Sequence, residues 1–165
     1  MTTSPPARIV ALDDDDGMLA LLRHSLESDA HALTIFRDPM HAVQAILENP
    51  PDLVITDLSM PGASGLDVIQ QIRTKYPNDE LPIIVLSGTG DEDVILACYT
   101  AGATDYLVKP FGSGELKAKV KILLRRVKEM RDSSLSRRLP IVLDDANWSA
   151  NDLVGKVFAG YHVER

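Results

Sequence analysis

Five short apolar runs, each ending in polar residues and each followed by a stretch of helical period, constrain the fold more than any other feature. They are Arg8-Ile9-Val10-Ala11-Leu12, Ala32-Leu33-Thr34-Ile35-Phe36, Leu53-Val54-Ile55-Thr56-Asp57, Pro82-Ile83-Ile84-Val85-Leu86 and Asp105-Tyr106-Leu107-Val108. A run this short, rich in β-branched residues and bounded by Pro, Gly or Asp reads as a strand buried on both faces. Strict alternation of such strands with helices predicts an α/β fold, a doubly wound five-stranded parallel sheet with helices on both faces.

The intervening helices carry the expected apolar stripes: Met18, Leu19, Leu21, Leu22 and Leu26; Ala42, Val43, Ala45, Ile46 and Leu47; Leu66, Val68, Ile69 and Ile72; Val94, Ile95, Ala97, Cys98 and Ala101. Pro39 opens the second helix, and Asn49-Pro50-Pro51 ends it because proline cannot continue a helix. The third is expected over residues 64–76. Asp91 caps the fourth and Gly102 closes it. Residues 112–114 precede a long last helix with Leu116, Val120, Leu123, Leu124, Val127 and Met130 at mixed three- and four-residue spacing, running to about Arg131 or later.

In a parallel sheet every strand ends on the same edge, where ligands bind. The first strand here runs into Asp13-Asp14-Asp15-Asp16, the third ends in Asp57, the fourth meets Ser87 and the fifth Lys109. Each residue has a plain structural role open to it: Asp57 as a turn cap, Ser87 and Asp13 as helix caps, Lys109 as a surface cation. Asp15 or Asp16 suits the N-terminus of the first helix. Four adjacent carboxylates repel one another, and a bound cation relieves that repulsion. Mg²⁺ fits, since it takes one or two protein carboxylates with water and phosphate oxygens. Asp14 and Asp57 suit such a site, with Asp13 acting through water. A carboxylate is also a nucleophile toward phosphorus. Lys109 and the cation would balance phosphoryl charge, with Ser87 donating a hydrogen bond.

Asp13-Asp14, Asp57 followed by Met60-Pro61-Gly62 and Gly65, Ser87-Gly88, and the run from Gly102 through Lys109-Pro110-Phe111 together resemble the receiver domain of two-component response regulators. The likeness covers about residues 7–128, leaving 129–165 as helical extension, linker and short tail. It implies a flavodoxin-like sheet of order 2-1-3-4-5 and a phosphoacceptor switch rather than a turnover enzyme. By the same resemblance Asp57 accepts a phosphoryl group from a sensor histidine kinase. Asp13, Asp14, Asp57 and the Ser59 carbonyl would hold Mg²⁺, Ser87 and Lys109 would bind the phosphoryl group, and Ser87 and Tyr106 would form the switch pair. Ser59 and Thr89 occupy positions that tune phosphoryl lifetime in the family. The Lys109-Pro110 bond is expected to be cis. Asp14-Asp15-Asp16-Gly17-Met18-Leu19 is similar to a second motif, that of haloacid-dehalogenase-type phosphatases. This alternative makes Asp14 the nucleophile but leaves Asp57 and its loop unexplained.

Charge is unevenly spread. Residues 1–112 hold 17 acids and 6 bases, a net −11, whereas residues 113–138 hold 9 bases and 3 acids, a net +6. The acidic body argues against direct nucleic-acid binding. Val120, Leu124, Val127 and Met130 could continue as a coiled-coil seam, so the last helix offers a route to a homodimer. Asp132-Ser133-Ser134 reads as the start of a linker, and Leu139-Pro140-Ile141-Val142-Leu143 as a further strand. Residues 153–165 resemble the lead-in to bacterial Ser/Thr kinase domains, which suggests a kinase-like output domain beyond Arg165. Asn147-Trp148-Ser149 matches the glycosylation pattern by chance. The single cysteine, Cys98, excludes an internal disulfide and a cysteine zinc site. With no signal peptide or membrane span in the sequence, a cytoplasmic location is expected. The four histidines have no metal-ligand spacing.

Overall fold

A computed structural model describes residues 4–28 and 30–138, together with the backbone of residues 157–158 and 161–162. The elements follow in order β1 (Ala7–Leu12), α1 (Asp16–Leu26), β2 (His31–Phe36), α2 (Pro39–Glu48), β3 (Leu53–Asp57), α3 (Gly65–Arg73), β4 (Ile83–Ser87), α4 (Glu92–Ala101), β5 (Asp105–Val108) and α5 (Ser113–Arg138). The first five strands form one sheet of order β2-β1-β3-β4-β5, every pair parallel. This is the expected doubly wound arrangement. A two-residue antiparallel pair, β6 (Val157–Phe158) and β7 (Tyr161–His162), lies in a second unit, Ser133–Arg165, separate from the unit Met1–Asp132.

The strands are apolar on both faces because helices cover both. Val10 and Leu12, Val54, Ile83 and Val85, and Tyr106 pack under α2, α3 and α4, against Val43, Ile46, Val68, Ile69, Ile72 and Cys98. The alternate residues Ile9 and Ala11, Leu53 and Ile55, Ile84 and Leu86, and Leu107 pack under α1 and α5, against Leu22, Leu26, Leu116, Val120 and Leu123. Side chains alternate along a strand, so one apolar run serves two cores. Each fully buried Leu or Ile contributes about 1.5–3 kcal/mol of transfer free energy.

Three sequence readings are corrected. α3 stops at Arg73 rather than Tyr76, with Thr74 as its C-cap. The Thr74 hydroxyl donates to the Gln71 carbonyl at 2.6 Å, and Arg73 reaches out to the carbonyls of Gly102 (2.9 Å), Tyr76 (3.1 Å) and Leu81 (2.6 Å). The carbonyls of Tyr76 and Leu81 are thus held outside the helix. Gly102 follows α4 with φ +115, and a Cβ there would lie 2.9 Å from the Arg73 side chain, so both conformation and space require glycine.

Second, Asp132-Ser133-Ser134 is helical and not the start of a linker, since α5 is continuous to Arg138. Lys and Arg supply good helix formers up to Arg131, and two serines alone do not break a helix. Arg131 also pairs with Asp52 at the start of β3. Third, Val120 and Val127 are not an open seam: both are buried within the domain, while Met130 is 38% exposed and Leu135 63%. The sheet needs that stripe to close its second core. The expected strand at residues 139–143 and the Asn147-Trp148-Ser149 pattern fall outside the described residues.

Candidate functional site

The carboxyl end of β1 delivers Asp13. Its backbone N–H still donates to the Phe36 carbonyl of β2 (3.3 Å), which keeps the residue in register with the sheet. Its side chain is fully buried. Among the next three aspartates the structure divides the work. Asp15 is the N-cap of α1, its Oδ1 accepting from Gly17 N (2.7 Å) and Met18 N (3.1 Å). Asp16 pairs through Oδ1 with Arg37 Nη2 at 2.6 Å. Asp14 is exposed and turned to the site, where one oxygen from each of Asp13, Asp14 and Asp57 lies within 4.8 Å of the others.

Asp57 closes β3 and is 7% exposed. The loop beyond it is fixed from both sides. Met60 is buried in the core under α2 and α3. Gly65 comes so close that a Cβ would meet the Asp57 carbonyl oxygen at 2.5 Å. Ser59 is exposed on this loop, two residues past Asp57.

Lys109 follows β5, and its Nζ bridges Asp57 Oδ1 at 3.0 Å and Asp13 Oδ2 at 3.1 Å. The Lys109-Pro110 peptide is cis, as the resemblance implies. Burial raises the Asp13 pKa, and the neighbouring Asp57 charge adds to the rise; the Asp15 amide and Lys109 only partly offset it. Burial pulls Lys109 down, but its hydrogen bonds to Asp57 and Asp13 outweigh that, so it stays protonated with a raised pKa. Three clustered carboxylates held by one ammonium are left with excess negative charge. All-oxygen ligands of this kind are the donor set that a hard divalent cation takes, so the residues fit Mg²⁺.

Ser87 ends β4, one residue beyond Leu86, which pairs with Asp57. Its Oγ accepts from Thr89 N at 3.3 Å. Tyr106 is buried and donates its hydroxyl to the Thr89 carbonyl at 2.6 Å. Both residues named as the switch pair therefore hold the same loop, the one that leads from β4 to α4. Tyr106→Phe removes one strong bond from a carbonyl on that loop. It is expected to cost about 0.5–1.5 kcal/mol of stability in thermal melts and to speed amide exchange at residues 88–91.

These features decide the family, and the comparisons agree. The profile of the response regulator receiver domain matches residues 9–121. The chain belongs to the response regulator receiver family. It is 37% identical over 138 residues to the phosphate regulon transcriptional regulatory protein PhoB of Rhizobium meliloti, covering 83% of this chain and 60% of that protein. It is 38% identical over 121 residues to the response regulator MprA of Mycobacterium leprae, covering 73% and 52%. A solved structure of a putative response regulator from Chloroflexus aurantiacus superposes with a TM-score of 0.67 at 34% identity, over 73% of this chain and 98% of that one. The match to this solved chain is thus nearly end to end, whereas the chain spans about 60% or less of the two curated relatives. The phosphatase alternative fails on these findings. The family match is to receivers, and Asp16, the last acid of the Asp14-Asp15-Asp16 motif, pairs with Arg37 and is not among the clustered carboxylates.

The sequence reading did not use Arg37. It directly follows β2 and so stands at the same sheet edge as Asp13. The rule that located the other residues would have found it.

Proposed function

We propose that the chain is a phosphoacceptor switch in which Asp57 takes a phosphoryl group from a phosphohistidine on a sensor kinase. A carboxylate oxygen of Asp57 attacks phosphorus, the new O–P bond forms, the N–P bond breaks, and the departing imidazole takes a proton. Asp13, Asp14 and Asp57, with the Ser59 carbonyl, would hold Mg²⁺, which supplies positive charge to the phosphoryl oxygens. Lys109 leaves part of its bond to Asp57 to neutralise the same oxygens, and the Ser87 hydroxyl donates to one of them. The observation that carries this reading is the Lys109 ammonium bridging two carboxylates at 3.0 and 3.1 Å, with a third in reach. Loss of that bridge would release Lys109, and the Ser87 and Tyr106 contacts to the Thr89 loop would pass the change to α4. The switch does not turn over a separate substrate.

Removing divalent ions with EDTA is expected to abolish phosphoryl uptake from acetyl phosphate, and adding Mg²⁺ to restore it. Uptake that persists in EDTA would overturn the metal assignment.

The domain limits 7–128, a cytoplasmic location and the absence of direct nucleic-acid contact belong to this same proposal. Among the described residues no helix is long and apolar enough to cross a membrane. A homodimer through the last helix is proposed on altered residues. Ile122 on α5 is exposed, as are Leu96 and Tyr99 on α4 and Val108 on β5, whereas Val120 and Val127 are taken by the core. PhoB is by name a transcriptional regulatory protein. For this chain, the likeness of residues 153–165 to a kinase lead-in supports a Ser/Thr-kinase-like output instead.

A further inference from the structure

We propose that Arg37 is a positioning residue that sets the charge balance at the mouth of the site by holding Asp16. The proposal rests on the metal-assisted phosphoacceptor reading. Asp16 is the fourth consecutive aspartate and the only one that neither reaches the three-carboxylate cluster nor caps α1. Its Oδ1 instead meets Arg37 Nη2 at 2.6 Å. Arg37 is adjacent to Phe36, whose carbonyl accepts the Asp13 N–H, so its backbone stands beside the strand end that delivers the cluster, and its guanidinium reaches the aspartate three residues beyond Asp13.

Both side chains are largely exposed, at 68% and 72%, and an exposed pair of this kind adds little to stability. Its effect lies in the field. Four acids follow β1, and the pair cancels the charge of one of them. Without Arg37, Asp16 would add a bare negative charge at the rim. That charge attracts a divalent cation and repels a dianionic phosphodonor. With Arg37 in place, the cation is held less tightly and the donor is admitted more easily. Coulomb interaction across several ångströms of water-like dielectric gives a modest effect, roughly two- to fivefold in affinity. The effect shrinks in high salt.

The test reads a cation and an anion on the same variants. Mg²⁺ is titrated by calorimetry, and the acetyl phosphate concentration that gives half-maximal phosphorylation is measured at saturating Mg²⁺, both at low ionic strength. Arg37→Gln is expected to bind Mg²⁺ about two- to fivefold more tightly and to need about two- to fivefold more acetyl phosphate. Asp16→Asn, which leaves Arg37 bare, should shift both in the opposite sense, and Arg37→Lys should resemble the parent. A merely structural role would weaken both affinities together. That result, or no change in either, would overturn the proposal. If the parent protein itself binds no Mg²⁺, the site reading fails, and the role of Arg37 falls with it.

Discussion

Asp57→Asn is expected to abolish stable phosphoryl uptake while leaving the fold intact. An amide oxygen is a poor nucleophile and forms no acyl phosphate, so labelling by acetyl phosphate or by a phosphorylated kinase should fall on the order of a hundredfold or more. The variant keeps the local geometry. Asn can still accept the Leu58 N–H that Asp57 Oδ1 accepts at 3.0 Å, and Lys109 keeps its bond to Asp13. Removing one of three crowded carboxylates relieves repulsion, so the metal-free protein should melt no lower than the parent. A variant that loses label because it has unfolded would show that in circular dichroism. Label retained on the folded variant would mean that another residue accepts the phosphoryl group.

Lys109→Ala should have the largest effect on stability. Asp13 is fully buried and Asp57 nearly so, and Lys109 is the ammonium that bridges them. Breaking a buried pair by removing one partner costs about 3–5 kcal/mol. Lys109 retains about a fifth of its side-chain exposure, so a loss of about 2–3 kcal/mol is expected at neutral pH without divalent ions. Mg²⁺ should restore part of it. The pH dependence follows from Asp13, whose folded pKa lies above the ordinary carboxylate value. The folded state then binds the proton more readily than the unfolded state. Stability therefore falls as pH rises from the ordinary carboxylate value through the raised one, and the cost of an ionised Asp13 is absent below that window. The deficit of Lys109→Ala should accordingly be smaller in acid than at neutral pH. Urea titrations at two pH values, with and without Mg²⁺, measure both effects. A deficit that does not depend on either pH or Mg²⁺ would point to lost packing rather than lost charge.

Much of this architecture can be read from local pattern because strands buried on both faces need continuous apolar runs. Ile83-Ile84-Val85-Leu86 can hardly be anything else, and Asp91 and Gly102 mark the ends of α4 by their own backbone chemistry. The edge residues Asp13, Asp57, Ser87 and Lys109 follow from topology once the strands are placed. What pattern could not give was partner choice. The local pattern leaves open which of Asp15 and Asp16 caps α1: Asp15 becomes the cap and Asp16 an ion-pair partner because α1 starts at Asp16 and β2 brings up Arg37. The end of α3 depended on Arg73 meeting the carbonyl of Gly102, 29 residues away. The outward face of α5 was misread for a similar reason. Helical spacing shows that Val120 and Val127 share a stripe with Leu116 and Leu123, but not that the sheet would claim it.

The most direct test of the central claim is the position of the phosphoryl group on the parent protein. The chain would be labelled by a phosphorylated sensor kinase in the presence of Mg²⁺, digested, and mapped by fragmentation under conditions that preserve acyl phosphates. The geometry around Lys109 predicts a single label on Asp57. A label on Asp14, or on a residue away from the carboxyl edge of the sheet, would contradict it.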